Sequence, residues 1–443
     1  MTSISVFGIG YVGVVSAACI ARDGHRVVAV DIDAARVKTI NEGRAPIVEN
    51  GLPALIERAV ADGLLVATLD ADDAVANTDA SLVCVGTPSN PDGSVGLDHV
   101  RQVCGIIGRA IARKGGYHSV IIRSTIVPGT MEGTCIPALE EASGLKAGVD
   151  FGVGYYPEFL RESTAIEDYD NPGLVVFGAL DAPTFALLNA LNTDVPCAVQ
   201  EVDLRTAEMV KYTSNTWRAV TVTFANEIGN IAKACGLDGQ VVMRLLCSDD
   251  KVAMSPHFMR PGFAFGGSCL PKDVRALQHL ARARDIEAPL LGAVLKANDA
   301  QIDRAARMVA DTRGTNGKPV VGLVGISFKP GTDDLRESPL AELAARLIAG
   351  GHDVQVYDPN VATGHANDPE GVGRGNDAVP DLRDRMVPSI DALIEVADTI
   401  VVGNSYAEAL GPLRDVLHDQ PVVDLARVQP GLVSSGTYQG ICW

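Results

Sequence analysis

Short apolar runs alternate with amphipathic stretches over the first part of the chain. ISVF at 4–7, HRVVAVDID at 25–33, DASLVCVG at 79–86 and HSVIIRST at 118–125 each read as a buried strand that ends in polar residues. VVSAACIARDG at 14–24 reads as a helix between the first two. This alternation predicts a doubly wound parallel sheet. The period then changes. Ala207, Val210, Ser214, Trp217, Thr221, Phe224, Ile228 and Ile231 recur at three- and four-residue steps, which predicts one helix of about 30 residues or more. A helix of that length needs burial on more than one side, as a subunit interface would provide. The last third repeats the first in outline: KPVVGLVG, HDVQVYDPN and ADTIVVGNS match the earlier strands in order. The expected fold class is α/β, with two Rossmann-like doubly wound domains joined by a long central helix. The expected boundaries are 1–202, 203–300 and 301–443. The segment 361–387, rich in Gly, Asp, Asn and Pro, reads as a surface excursion without chemistry.

The first strand runs directly into GIGYVG. In that context Gly8 serves a tight turn, Gly10 a close backbone approach to a pyrophosphate, and Gly13 helix–strand packing. Asp31 ends the next strand, where a carboxylate accepts hydrogen bonds from a ribose 2′-hydroxyl and repels a 2′-phosphate. The cofactor expected is therefore NAD. Arg36, five residues on, could blur that preference, pack over the adenine or be solvated. Thr87, Ser124 and Thr125 stand at strand C-terminal ends, where doubly wound sheets bind ligands. Glu158, Arg161 and Glu162 crowd the next such turn. In the second half the glycine turn carries SFKPGTDDLRESP instead of a third glycine. Lys329 and Arg336 there suit a second phosphorylated ligand better than a second NAD.

FAFGGSCLPKDVRAL at 263–277 sets Cys269 between a glycine turn and a basic, helix-prone segment. A helix N-terminus and the cations Lys272 and Arg275 would lower a thiol's pKa. Asp273, one turn on, can share its face. A buried structural cysteine is the competing reading. Lys211, Asn215 and Arg218 form a stripe on the long helix, which a solvated face would also explain.

Composition narrows the class. A net charge of −18 argues against nucleic acid and anionic membranes. Nine scattered cysteines without CxxC or Cys/His clusters argue against a disulfide framework and a zinc site, and for a cytoplasmic, reducing compartment. No membrane span or signal pattern is expected. A phosphate-bearing ligand must then find a local basic pocket, for which Arg260, Lys272, Arg275, Lys329 and Arg336 are candidates.

One mechanism uses all these parts. A primary alcohol loses hydride to NAD, the Cys269 thiolate captures the aldehyde, a second hydride leaves, and water releases a carboxylate. Lys211 and Asn215 would stabilise the oxyanion, with Asp273, or Glu158 through water, as base. A two-electron hydroxy-acid dehydrogenase has no use for Cys269. A non-catalytic sensor that keeps both nucleotide folds has no reason to keep Cys269, Lys211 and Asp273 together.

GIGYVG, CVGTPS, RSTIVPGT, PEFLRESTAI, KYTSN, TFANEIGNIAKA, RPGFAFGGSCLPKDVRAL, SFKPGTDDLRESP and the closing GICW together resemble the nucleotide-sugar 6-dehydrogenases over essentially the full length. Within that family the chain is most similar to the GDP-mannose branch. The resemblance implies Cys269 as nucleophile with Lys211, Asn215, Asp273, Glu158 and Thr125 around it. It implies NAD contacts at Tyr11, Val12, Asp31, Arg36, Thr87, Thr125, Lys272 and Arg336. Sugar-nucleotide contacts would fall at Glu162, Lys211, Asn215, Asn226, Arg260 and Lys329. It also implies an interlocked homodimer, or a higher oligomer with shared sites, in which Arg260 reaches the partner. Three positions depart from the pattern. Tyr156 replaces the family's usual Asn. Arg218 replaces the branch's His. His257 and Phe258 stand where an aromatic pair is expected. Arg218 and His257 could therefore read a different hexose, or UDP in place of GDP, with Phe258 a further substrate contact.

Overall fold

A computed structural model describes residues 2–193, 195–249, 259–312, 320–361, 379, 381–417, 420–429, 431–434 and 436–443. The chain divides into two compact units, Met1–Ser214 and Asn215–Trp443.

The first unit is built on eight strands: β1 Ser3–Phe7, β2 Arg26–Val30, β3 Leu65–Thr68, β4 Ala80–Val83, β5 Ser119–Ile122, β6 Gly152–Tyr155, β7 Val175–Ala179 and β8 Val199–Val202. Their order in the sheet is β3-β2-β1-β4-β5-β6-β7-β8. All neighbours pair in parallel except β6 with β7. The order reverses beside β1, so the mouths of β1 and β4 form the crevice where such sheets hold ligands. Helices cover both faces of the central strands, which explains why β4 and β5 are buried throughout, while the edge strands β3 and β8 carry exposed positions. The pleat still sorts side chains. Ile4, Val6, Val27 and Ala29 join one core, while Phe7, Val28, Val30 and Val83 join the other.

The second unit carries β9 Val320–Val324, β10 Asp353–Tyr357, β11 Thr399–Val402, β12 Val422–Asp424 and β13 Tyr438–Gly440, ordered β10-β9-β11-β12-β13 and all parallel. Two Rossmann-like sheets are thus present, as the repeated strand pattern predicts. The aspartates that end β2 and β10 serve different ends. Asp358, buried, takes the amides of Ile326, Ser327, Asn360 and Val361 and the Ser327 hydroxyl. It is spent on its own turn. Asp31 takes the amides of Ile9 and Asp33, which leaves lone pairs for a ribose.

The long helix spans Leu204–Ala234, 31 residues, or about 46 Å. Further helices run Gly239–Cys247, Leu270–Arg282 and Pro289–Asp311. Most of the 361–387 excursion lies outside the described residues.

Glu208, near the start of the long helix, was not singled out by the sequence. It is buried and accepts the amides of Gly129 at 2.6 Å, inside the RSTIVPGT segment, and of Met131 at 2.8 Å, directly after it. Burial pushes its carboxyl up to about 7, against the pull of those two amides. A carboxyl raised in the folded state adds stability below its unfolded value of about 4.3 and loses that contribution as pH rises through 7. Glu208→Gln should therefore flatten the fall in stability between pH 5 and pH 8, read by urea unfolding. An unaltered slope would remove Glu208 as its source.

Candidate active site

At the mouth of β1, Gly8 adopts φ +91°, and a Cβ on Gly13 would lie 1.8 Å from the Gly8 carbonyl oxygen. Neither position admits a side chain. Gly10 is different: a Cβ there would meet nothing within 4 Å. It opens onto space at the N-terminus of helix Tyr11–Arg22, which has no side-chain cap and no acidic residue in its first turn. Uncapped amides and the positive helix end suit a pyrophosphate. Tyr11 and Val12 are half-buried beside it. Arg36 lies toward Asp31 at 3.7 Å and Asp33 at 3.4 Å, so its charge is balanced by acids. Thr87 donates to the Thr125 carbonyl at 2.9 Å and Ser124 to the Val85 carbonyl at 2.7 Å, tying the β4 and β5 mouths together.

The PEFLRES loop follows β6. Lys211 reaches into it from the long helix, donating to the Glu158 carboxylate at 2.9 Å and to the Glu158 carbonyl at 2.5 Å. Both side chains are buried, 3% and 6% exposed, so the stripe on the helix is not a solvated face here. The Leu160 amide adds a 2.7 Å bond to the same carboxylate. Burial pushes the Glu158 carboxyl up, but Lys211, Arg123 and that amide outweigh it and hold it below its ordinary value. Arg123, itself buried, stacks 4.4 Å over the Tyr156 ring. Arg161 is held by a fork to Asp168. Glu162 follows it in the same loop.

In the second unit Cys269 is the N-cap residue of helix Leu270–Arg282 and is exposed. Its thiol is therefore not a packed core group. Ser268 Oγ lies 3.7 Å from its sulfur. Asp273 is buried, accepts from Asn215 Nδ2 at 2.6 Å and pairs with Lys272 at 3.2 Å. The FAFGG turn is held by neutral amides. Asn298 makes two 2.9 Å bonds to the Phe265 backbone, and Gln301 donates to the Gly262 carbonyl at 2.6 Å. Asn226 spends both ends of its amide on Gly262 and Phe263. Gly266 and Gly267 pack on the 326–339 loop, where a Cβ would meet the Glu337 carbonyl at 2.3 Å or the Phe328 ring at 2.9 Å. Asn298 and Gln301 were missed because they stand on a different helix, Pro289–Asp311, about 30 residues further on.

The cations differ in their engagement. Arg275 forms a fork with Glu337 at 2.6 and 2.8 Å, and Arg336 one with Asp334. Lys329 sits 5.5 Å over the Phe328 ring. Arg218 is half-buried and Arg260 exposed. His257 and Phe258 lie outside the described residues. No group of three or more His, Cys, Asp and Glu placed to hold a metal occurs among the described residues, and none of their helices is long and apolar enough to cross a membrane.

The glycine turn, its open helix end and the Asp at the tip of β2 fit NAD, and fold and turn together define an NAD-dependent dehydrogenase with a second Rossmann-like half. Three descriptions of one family match the chain in order: its NAD binding domain over residues 2–195, its central domain over 205–300 and its UDP binding domain over 322–429. The chain belongs to the UDP-glucose/GDP-mannose dehydrogenase family. It is 45% identical over 444 residues to the GDP-mannose 6-dehydrogenase of Pseudomonas aeruginosa, covering 99% of this chain and all of that one. It is 37% identical over 434 residues to a UDP-glucose 6-dehydrogenase of Haloferax volcanii, covering 96% of each. A solved UDP-glucose dehydrogenase from Pyrobaculum islandicum superposes with a TM-score of 0.87 at 34% identity, over all of this chain and 98% of that one.

Removing the Lys211 charge leaves a buried carboxylate unpaired, which costs about 3–5 kcal/mol. In the intact protein the depressed Glu158 value contributes stability above the unfolded carboxylate pKa of about 4.3, lost as pH falls through the folded value. In Lys211→Met burial dominates and the sign reverses. That variant should be more stable at pH 5 than at pH 8 relative to the parent by urea unfolding. A uniform loss at both pH values would contradict this account.

Proposed function

We propose that this NAD-dependent nucleotide-sugar 6-dehydrogenase oxidises the C6 hydroxyl of GDP-mannose to the carboxylate of GDP-mannuronate, with Cys269 as the covalent catalyst. The observation that carries the reading is an exposed thiol at a helix N-terminus, in a chain that matches GDP-mannose 6-dehydrogenases from end to end.

NAD supplies hydride acceptance, once for each of two oxidations. The C6 alcohol gives up a hydride and a proton and becomes an aldehyde. The Cys269 thiolate adds to the carbonyl carbon, forming a C–S bond and an alkoxide, protonated as the thiohemiacetal. Loss of the second hydride and the hydroxyl proton leaves a thioester. Water attacks it, the C–S bond breaks, and carboxylate and thiol are released. Lys211 and Asn215 stabilise the alkoxide. Glu158, held ionised by Lys211, is the carboxylate suited to take a proton through water. Asp273, engaged by Asn215 and Lys272, fits the role of orienting those two groups. Thr125 completes the catalytic set. Gly8, Gly10, Tyr11, Val12, Gly13, Asp31, Arg36, Thr87, Lys272 and Arg336 serve NAD. Glu162, Arg260 and Lys329 serve the sugar nucleotide, and Asn226 acts by bracing the 262–263 backbone. Arg218, half-buried, replaces the branch's His, and a UDP-hexose is accordingly the second reading.

The same proposal places the enzyme in the cytoplasm, divides the chain into parts 1–202, 203–300 and 301–443, and makes it a homodimer. Trp217, Phe224 and Ile231 recur every seven residues on the long helix and are 63%, 44% and 61% exposed. A large apolar stripe of that kind belongs against a partner.

Two assays test this. About two NADH formed per limiting GDP-mannose, with little from UDP-glucose, UDP-N-acetylglucosamine or UDP-galactose, supports both chemistry and substrate. Two per UDP-sugar instead would keep the chemistry and move the specificity to Arg218, His257 and Tyr156. One per sugar would overturn the role of Cys269. Trp217→Glu should lower the mass seen by analytical ultracentrifugation to that of the monomer; an unchanged sedimentation coefficient would reject this face as the interface.

A further inference from the structure

Glu49 belongs to none of the motifs that carry the chemistry, yet its carboxylate joins two of them. It is 4% exposed and takes three donors. The Tyr11 hydroxyl and the Ser163 amide, at 2.8 Å, both bond Oε2, and the Ala165 amide bonds Oε1 at 3.1 Å. The Ser163 amide also lies 3.1 Å from the Tyr11 hydroxyl. Asn50 adds a 3.4 Å bond to the Ser163 carbonyl. Tyr11 is the first residue of the helix whose open end suits the pyrophosphate. Ser163 directly follows Glu162 in the PEFLRES loop.

Ser163 is the telling partner. Its φ is +71°, a left-handed conformation that residues with a Cβ rarely adopt. It is held there by the bonds its amide makes. Burial, Glu49 and Glu162 push the Tyr11 hydroxyl well above its ordinary value, so it stays protonated and stays a donor.

We infer that Glu49 is a positioning residue: it pins the strained Ser163 turn and locks the PEFLRES loop to the dinucleotide turn. The inference rests on the reading that this loop faces the sugar nucleotide and Tyr11 faces NAD. One acidic side chain then sets the spacing of two binding segments that lie about 150 residues apart in sequence.

Glu49→Gln keeps the shape and one acceptor but turns an NH2 toward donors. With whichever sugar nucleotide the parent oxidises, it should lower kcat/KM by about 10- to 100-fold. NADH, titrated by its fluorescence, should bind several-fold more weakly. Ser163→Gly should be close to the parent, since glycine adopts a positive φ without help. Placed in the Glu49→Gln background, it should recover about tenfold of the lost kcat/KM. Thermal unfolding of each variant checks that it is folded.

Unchanged kcat/KM and NADH affinity in Glu49→Gln would overturn the inference. So would a folded double variant no better than Glu49→Gln alone. Should Glu49→Gln not fold, Tyr11→Phe removes the hydroxyl only. A loss of kcat/KM there that Ser163→Gly partly restores supports the lock, and a loss that it does not restore, or no loss, overturns it. A parent inactive on every sugar nucleotide would sink the proposed substrate class, while the NADH titrations would still decide the Glu49 lock.

Discussion

A charge taken out of water must be met by another, and the Lys211–Glu158 pair carries that requirement for the first unit. Both groups are almost fully buried, so each is tolerable only while the other is in place. The pair fixes the start of the long helix against the loop after β6. The start of that loop follows from the anchor: the Leu160 amide turns back onto Glu158, and beyond it Arg161 forks onto Asp168. The sheet supplies a platform, and this ion pair ties the first residues of the loop to the long helix.

The two sheets use similar sequences for different purposes. In both, a strand runs into a glycine with positive φ, Gly8 or Gly325, and a second strand ends in aspartate. In the first, a helix begins at once and its amides stay open. In the second, a loop intervenes before helix Pro339–Ala349, whose end is capped by Ser338, and Asp358 is consumed by its own turn. The repeat is one of architecture, and the binding chemistry has diverged at the turn.

Much of this could be read from residues alone, because strand and helix periods and glycine spacing are local properties. The two Rossmann-like sheets and the long helix follow from them. What periodicity could not supply was pairing across distance. Glu208 and Glu49 look like ordinary surface acids on their own segments. Only the fold shows the amides they serve, at Gly129 and Met131 and at Ser163 and Ala165. Arg275 and Arg336 read as free phosphate ligands, but each already holds a carboxylate. The sequence marks such cations without showing how far neighbouring acids have neutralised them.

The braces on the FAFGG turn have a further consequence. Asn226, Asn298 and Gln301 hold the backbone before Cys269 with amide groups. Amides neither titrate nor feel the ion atmosphere that weakens exposed charge pairs. These braces are thus indifferent to acidity and salt, unlike the Arg275–Glu337 pair at the helix that follows. A change in ionic strength will therefore weaken the exposed ion pairs around this turn, while the amide braces before Cys269 keep their place.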